Sequence, residues 1–590
     1  MKRQLKLLLY SGLVLFFIAC SDIKFGNAFL GDQPESSGAI LETMFSSELY
    51  ADKVLTTAYS YLPYGLPTGS GMADNKLGGN ILESITDLQH SYRNNQNDGP
   101  NGLYYNGALS SRSKAGIEAY RFGSENEYSA IRYAWIYIEN VHRVPDMSEE
   151  LKQRKIAEAQ MIIAIAYSEM LRYIGGVPLL KQSVEPGEMM EFPRNTFEET
   201  VNYIIELIDE AKNNLEWRQS DVDDGRITRA GALGLKLRIL CFAASPTFNS
   251  DTKWHPLADQ YTCYGNYDKN RWKRAKEAGE EFFYELARRG YYKLIQPQED
   301  THEARRIAYR RGFYNRGGSE ILVSTRKGYN VNIHNEFFNT VGYSGPTLNY
   351  VDMYPWKDGS EFPEDFNWES PTTQPFFTIA TGTIGEPTRD PRLYETVAVP
   401  GDRFKDGTFA PVYNNNPNYR RSTGFLQMKF VMREESDRTG IPVHWPYLRL
   451  SEVMLSYAEA INEYNGKPDD IAYACINDIR SRVGLSPVKP GLQQGEFREA
   501  LLKERALELG FEEVRWFDLI RWGREQDFRK KLYGLQVTGN DANTPTRFTF
   551  KKVELPVRHW AQNWDSKWYL SPVPQEEVYK EYGMLQNPGW

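Results

Sequence analysis

The chain has 590 residues, a formal charge of −8 and an aromatic content of 14%, with 38 Tyr and 13 Trp. An acidic body without a basic stripe argues against nucleic-acid binding. Beyond Cys20 only Cys241, Cys263 and Cys475 remain, an odd number in a long chain, which excludes a disulfide-stapled scaffold.

The N-terminus reads "MKRQLKLLLYSGLVLFFIACSD". Lys2, Arg3 and Lys6 precede the uncharged run Leu7 to Ala19. That run is too short for a stop-transfer helix and fits a secretory signal. Cys20 after small Ala19 resembles a bacterial lipoprotein signal, whose cysteine is diacylated and becomes the first mature residue, although Phe17 stands where Leu is usual. The other reading is an ordinary signal with an incidental cysteine. Residues 1–19 are thus expected to be a leader, whose removal leaves a charge of −11. Residues 20–42, polar with Gly and Pro, form a lipidated tether. Acyl chains on Cys20 would hold the body to a bilayer at about 0.8 kcal/mol per buried CH₂. No later stretch reads as a membrane helix.

A helix is expected over 45–62, then Gly-, Asn- and Ser-rich loops over 63–120, then a helix over 127–144. In the next, Ile156, Ala159, Ile163, Ala166, Tyr167, Met170, Leu171 and Ile174 step by three and four, and Gly175, Gly176 and Pro178 stop it. "NTFEETVNYIIELIDEAKNNL" opens with Asn195 or Thr196 as cap and Glu198 or Glu199 reaching back. "TRAGALGLKLRILCFAAS", with Cys241 as a small core residue, ends at Pro246, and "NRWKRAKEAGEEFFYELARRG" follows. These pairs suggest stacked hairpins of the tetratricopeptide kind, without a strict 34-residue repeat. Residues 291–446 are rich in Gly, Pro, Asn and Tyr, with β-like runs at 320–325 and 394–401. Such long loops are usually functional or mobile. Helices return over 449–464, 468–483 and 495–523. The expected fold is mainly α: a single body, 43–590, with a helical-hairpin scaffold (43–290 and 447–523), loop-rich regions (63–120 and 291–446) and short β elements.

The last of these helices carries Glu508, Glu512, Arg515, Asp518 and Arg521 at spacings that let Glu512–Arg515, Arg515–Asp518 and Asp518–Arg521 pair. Opposite charges lower a carboxylate's pKa, the reverse of what a general acid needs. Phe511, Val514, Trp516, Phe517, Leu519, Ile520 and Trp522 surround the ladder on nearly all sides. The stretch therefore reads as buried core with compensated charge.

"KERALELGFEEVRWFDLIRWG" (503–523) resembles the C-terminal signature of the SusD/RagB family of nutrient-capturing surface lipoproteins. Glu513 departs from it, since the family usually has Gly there. "YSEMLRYIGGVPLL" (167–180), "GRITRAGALGLKLRILCFAASP" (225–246), "VDMYPWKDG" (351–359), "DPRLYETV" (390–397), "YLRLSEVMLSYAEAINE" (447–463), "INDIRSRVGL" (476–485) and "QNPGW" follow in family order. The resemblance implies a SusD-like fold at the outer membrane, on the cell surface. It implies a SusC-like TonB-dependent barrel as partner, over which the protein acts as a hinged lid. The ligands implied are oligosaccharides or, in some members, peptides, bound without catalytic machinery.

Sugars offer apolar faces to aromatic rings and hydroxyls to amides and guanidiniums. In the family, contacts come from loops in roughly two of these regions, with no motif fixing them. By composition, 90–107 contributes Tyr92, Arg93, Asn94, Tyr104, Tyr105 and Asn106, and 311–346 contributes Tyr314, Tyr329 and Tyr343. Tyr354 and Trp356 read as structural. Catalytic signatures are lacking: the seven His form no H-E-x-x-H, and G-x-S-x-G, P-loop and G-x-G-x-x-G motifs are missing. "DVDDGRIT" (221–228) is one residue short of a calcium loop and reads as the turn before a helix. No cofactor, metal site or enzyme activity is expected. A glycoside hydrolase with scattered carboxylates stays as the less favoured alternative, and a peptide receptor on the same scaffold as another.

Overall fold

The computed structural model describes residues 37–66, 81–92, 101–113, 127–184, 191–326, 344–371, 374–380, 382–419, 423–433 and 443–590. Local signals place the first helices. α1 (Glu48–Ser60) starts at Ser47, whose side chain accepts from the Tyr50 amide. α2 (Glu127–Asn140) packs between α1 and α3 (Glu149–Ile174). From Ala157 to Tyr173, every residue of α3 except Gln160 is buried, which fits its position under two neighbours. It stops at Gly175, whose φ of 98° is open to glycine. α4 (Phe197–Ala211) has the expected capping box, resolved to Thr196 and Glu199. α5 (Arg229–Ala244) begins after the 221–228 turn, and α6 (Lys269–Arg289) packs along it.

The chain then leaves the stack and returns as α8 (Leu450–Asn465), which lies against α5 and α6. The approach to α6 requires Gly279: a Cβ there would lie 2.1 Å from the Tyr457 ring. α9 (Asp470–Arg482) and α10 (Gln494–Leu509) flank α8. One apolar core runs through these layers. A second gathers Tyr350, Tyr354, Phe362, Trp368, Phe376 and Phe550 under the loop-rich side, so Tyr354 is structural as expected. Cys241, Cys263 and Cys475 are buried and unbridged.

Two expectations for 291–446 are corrected. α7 (His302–Tyr314) occupies a stretch read as loop, and 394–401 holds the end of a short helix and only a two-residue strand. The strands pair antiparallel in twos: β1 (Gln89–Ser91) with β3 (Ser344–Pro346), β2 (Ile321–Thr325) with β8 (Trp445–Arg449), β4 (Phe377–Ala380) with β5 (Thr383–Pro387), β6 (Val397–Ala398) with β7 (Leu426–Gln427), and β9 (Tyr533–Gly539) with β10 (Phe548–Glu554).

The 495–523 helix is two helices. α10 ends at Leu509 and α11 (Arg515–Arg521) follows, with left-handed backbone at Phe511 (φ 64°) and Glu513 (φ 59°) between them. The stretch is core, as read, but the ladder is largely replaced by distant partners. Only Asp518–Arg521 forms, at 2.9 Å. Glu512 pairs with Arg449 and Lys429, Arg515 with Asp87, and Asp518 also with Arg505. Around Glu508 lies a fully buried ionic lattice of Arg392, Arg449, Arg482, Glu320 and Asp390.

The positive φ at Glu513 favours a glycine at this position, because a Cβ in the left-handed region costs about 1–2 kcal/mol. Glu513 also donates its amide to Glu83 (2.8 Å). Burial, then the Glu513 charge, push the Glu83 carboxyl up to about 8. A carboxyl raised in the fold lowers stability as pH climbs from its unfolded value to its folded one. Glu513→Gly is therefore expected to raise stability by about 1 kcal/mol, with the gain larger at pH 8 than at pH 5. Urea midpoints at the two pH values check it; an equal or negative shift at both would remove the explanation.

Candidate functional site

The β1–β3 ladder joins the two segments chosen by composition. Gln89 faces Pro346, His90 faces Gly345 and Ser91 faces Ser344. A buried hub pins this corner. Arg558 donates to the carbonyls of Thr86, Ser84 and Gln89 and to the Tyr105 hydroxyl. That hydroxyl also accepts from the Ser91 amide at 3.0 Å and donates to the Ser84 carbonyl. Burial pushes the Tyr105 hydroxyl up. His90 stands between Tyr92 and Tyr105, with centroids 4.9 and 5.1 Å away. Burial, then the Arg558 charge, hold it near 3, so the imidazole is neutral at physiological pH.

Tyr104 and Tyr105 are corrected by this geometry. Tyr104 is 1% exposed, its ring set against Trp560 and Trp568. Tyr105 is 7% exposed and is spent on the hub. Both pack the corner instead of presenting a ring to a sugar. Tyr92 stays half-buried and Asn106 is exposed. The Tyr92 hydroxyl is pushed up to about 12 by burial and then by the fields of Tyr419 and Tyr105, so Tyr419 lies within electrostatic range of it. Tyr314 ends α7 half-buried on the main core, and His444 Nε2 donates to its carbonyl at 3.1 Å. Arg93, Asn94, Tyr329, Tyr343 and Cys20 lie outside the described residues.

Tyr419 was not chosen from the sequence, although "YNNNPNY" (413–419) carries the same mixture of rings and amides. Asn415 locks this run to Gly539 through both its amide atoms (2.8 and 2.9 Å), and Asn416 bonds the Tyr413 hydroxyl. Asn418 is exposed, and its side-chain amide, like that of Asn106, has no hydrogen-bond partner among the described residues. The corner thus combines two half-buried rings with open amides around a neutral His90. Glu83, the strongly raised carboxyl nearby, is fully buried and out of reach of a substrate. Among the described residues, no three or more His, Cys, Asp and Glu gather to hold a metal ion, and no helix is long and apolar enough to cross a membrane.

Stacked helical hairpins carrying a loop-built corner define the fold class of this molecule. The SusD family model matches residues 315–590. SusD-like protein P38 of Formosa agariphila is 24% identical over 431 residues, 69% of this chain and 73% of that one. The solved structure of a SusD-like protein from Bacteroides fragilis superposes with a TM-score of 0.70 at 22% identity, over 93% of this chain and 98% of that one. A SusD-like carbohydrate-binding protein from the same species gives 0.66 at 21% identity, over 91% and 99%. The structural likeness covers the N-terminal helices that the family model leaves unmatched.

Proposed function

We propose that this protein is a cell-surface receptor that captures an oligosaccharide at the Tyr92–Tyr419 corner and passes it to a TonB-dependent outer-membrane barrel. It breaks no bond in the ligand. The loops of 63–120 and 291–446 carry recognition on the helical scaffold, residues 1–19 are removed, and 20–42 tether the body through acylated Cys20. The family-model match over residues 315–590 supports this reading, as does the fold shared with a solved SusD-like carbohydrate-binding protein. The observation that carries it is the pairing of solvent-reaching rings with uncommitted amides where the two loop segments meet. Each ring contributes about 0.5–1.5 kcal/mol by stacking, so a few contacts give mM to µM affinity, about −4 to −8 kcal/mol.

Titration of the purified protein against a glycan panel tests the proposal. Tyr92→Ala and Tyr419→Ala are each expected to weaken binding about 3- to 10-fold, with the glycan recovered intact. New reducing ends would establish a hydrolase instead, and preference for peptides would change the ligand class. Cys20→Ser is expected to move the protein from the membrane fraction to the soluble one, because no other segment is read as an anchor. Retention in the membrane would remove the lipid tether from the scheme.

A further inference from the structure

The segment that carries Arg558 also supplies a side chain that the packing of the corner leaves unused. Arg558 is extended, at φ −77° and ψ 150°, and precedes a short helix (His559–Gln562). Its guanidinium turns inward to the Tyr105 hydroxyl and the carbonyls of Ser84 and Gln89. Trp560 is fully buried against Tyr104. His559 stands between these two anchors and is only half-buried. Val557, the other neighbour of Arg558, is 52% exposed, as alternation along an extended chain places it.

A glycine positions the imidazole. Gly107 holds φ at 68°, and a Cβ there would lie 2.4, 2.6 and 2.7 Å from His559 Cδ2, Cγ and Nε2. Such similar distances put Gly107 over the face of the ring, so the contact leaves the ring edge uncovered. Only a residue without a Cβ permits this approach, and the residue before it is Asn106, exposed and with an open side-chain amide. Neither ring nitrogen of His559 has a hydrogen-bond partner among the described residues, and neither is buried. His302 and His444 differ: each spends Nε2 on a backbone carbonyl, of Arg389 and of Tyr314, and keeps Nδ1 buried. Those two are committed to the fold, whereas the His559 edge is left to solvent. The wall it forms borders the same corner as the first ring: Tyr105 precedes Asn106, its ring centroid is 5.1 Å from that of His90, and His90 is 4.9 Å from Tyr92.

An imidazole edge presents an N–H donor and, when neutral, an acceptor nitrogen. A hydroxyl is both donor and acceptor, so it pairs with either nitrogen and equally with the amide of Asn106. We propose that His559 is a recognition residue of the Tyr92–Tyr419 corner, its imidazole edge exchanging a hydrogen bond with a sugar hydroxyl beside the Asn106 amide. The inference rests on the oligosaccharide reading of that corner and adds to its two rings a polar wall seated on Gly107.

NMR of isotope-labelled histidine side chains in the purified protein tests it, with maltohexaose, cellohexaose, laminarihexaose and mannohexaose as probes. The signal missing from the His559→Gln spectrum identifies the residue. A probe that binds is expected to shift that signal. His559→Ala is expected to weaken the same probe about threefold to tenfold, the range for one hydrogen bond, with an unchanged urea midpoint. His559→Gln, which keeps a donor and an acceptor, should recover most of the affinity. An unshifted His559 signal, wild-type affinity in His559→Ala, or a loss that follows a lowered midpoint and is not recovered by Gln would overturn the assignment, with the corner itself intact if Tyr92→Ala and Tyr419→Ala still weaken binding. Affinity that survives both tyrosine variants, or no binding by any of these probes, would remove the corner reading and this inference with it.

Discussion

Replacing Glu508 by Ala is expected to cost about 3–5 kcal/mol of stability, the range for removing one partner from a buried ion pair. The carboxylate accepts two bonds from Arg482 (2.7 and 2.6 Å), one from Arg449 (3.2 Å) and one from Arg392 (3.4 Å). All four side chains are fully buried. Burial acts to raise the Glu508 carboxyl, but Arg482, Arg449 and Arg392 outweigh it and hold it at about 2. A carboxyl depressed in the fold contributes stability that is complete above its unfolded pKa and is lost as pH falls through its folded one. The Glu508 contribution should therefore be full above about pH 4.5 and fade toward pH 2. Urea midpoints checked for an unchanged slope measure the effect. Glu508→Gln, which keeps volume and an acceptor, should lose less. Arg482→Met added to Glu508→Ala should recover part of the loss, since it removes one stranded cation. A wild-type midpoint in Glu508→Ala would mean the lattice contributes nothing.

Short-range rules carried much of the architecture. The three-and-four stepping of α3, the Gly175 stop and the Thr196–Glu199 box are contained within a few residues, and all are present in the molecule. The failures share a cause. α7 is polar and Arg-rich ("HEARRIAYRRGFY"), so its periodicity is weak, and it lies in a stretch dominated by Gly and Tyr. The Glu512–Arg515 pair presumed an unbroken helix, whereas the left-handed turn at Phe511 and Glu513 is not encoded by residues that favour it. The true partners lie far off: Arg515 and Asp87 are separated by 428 positions. The site divided in the same way. Composition led to the β1–β3 corner, but a loop Tyr reads alike whether it packs or protrudes. What decides for Tyr105 is Arg558, 453 residues away. Tyr419 stands in an Asn-rich run that carries the same mixture of rings and amides, and the compositional choice passed it over.

Asp87→Ala is the substitution expected to link stability to recognition. Asp87 sits in the turn before β1 and is 1% exposed. Arg515 donates to it twice, at 3.0 and 2.9 Å, and Lys530 once, at 2.5 Å. Its carbonyl accepts from the Thr347 hydroxyl at 2.6 Å, just after β3. The residue thus bolts both strands of the corner to α11. Burial works against its charge, but Arg515 and Lys530 prevail and hold the carboxyl far below the usual carboxylate range. Its stabilisation is accordingly full above about pH 4. Truncation strands a buried guanidinium and should cost about 3–5 kcal/mol. The loss should concentrate at the corner, with faster hydrogen exchange in 84–91 and 344–347 and weaker oligosaccharide binding, although Asp87 is too deeply buried to touch a ligand. Tyr92→Ala should weaken binding with exchange unchanged, because it removes a contact and no support. Asp87→Asn, which keeps the shape and loses the charge, should fall between wild type and Ala in both readouts. Exchange in 84–91 that matches wild type in Asp87→Ala would show that Arg558 and Tyr105 alone hold the corner in place.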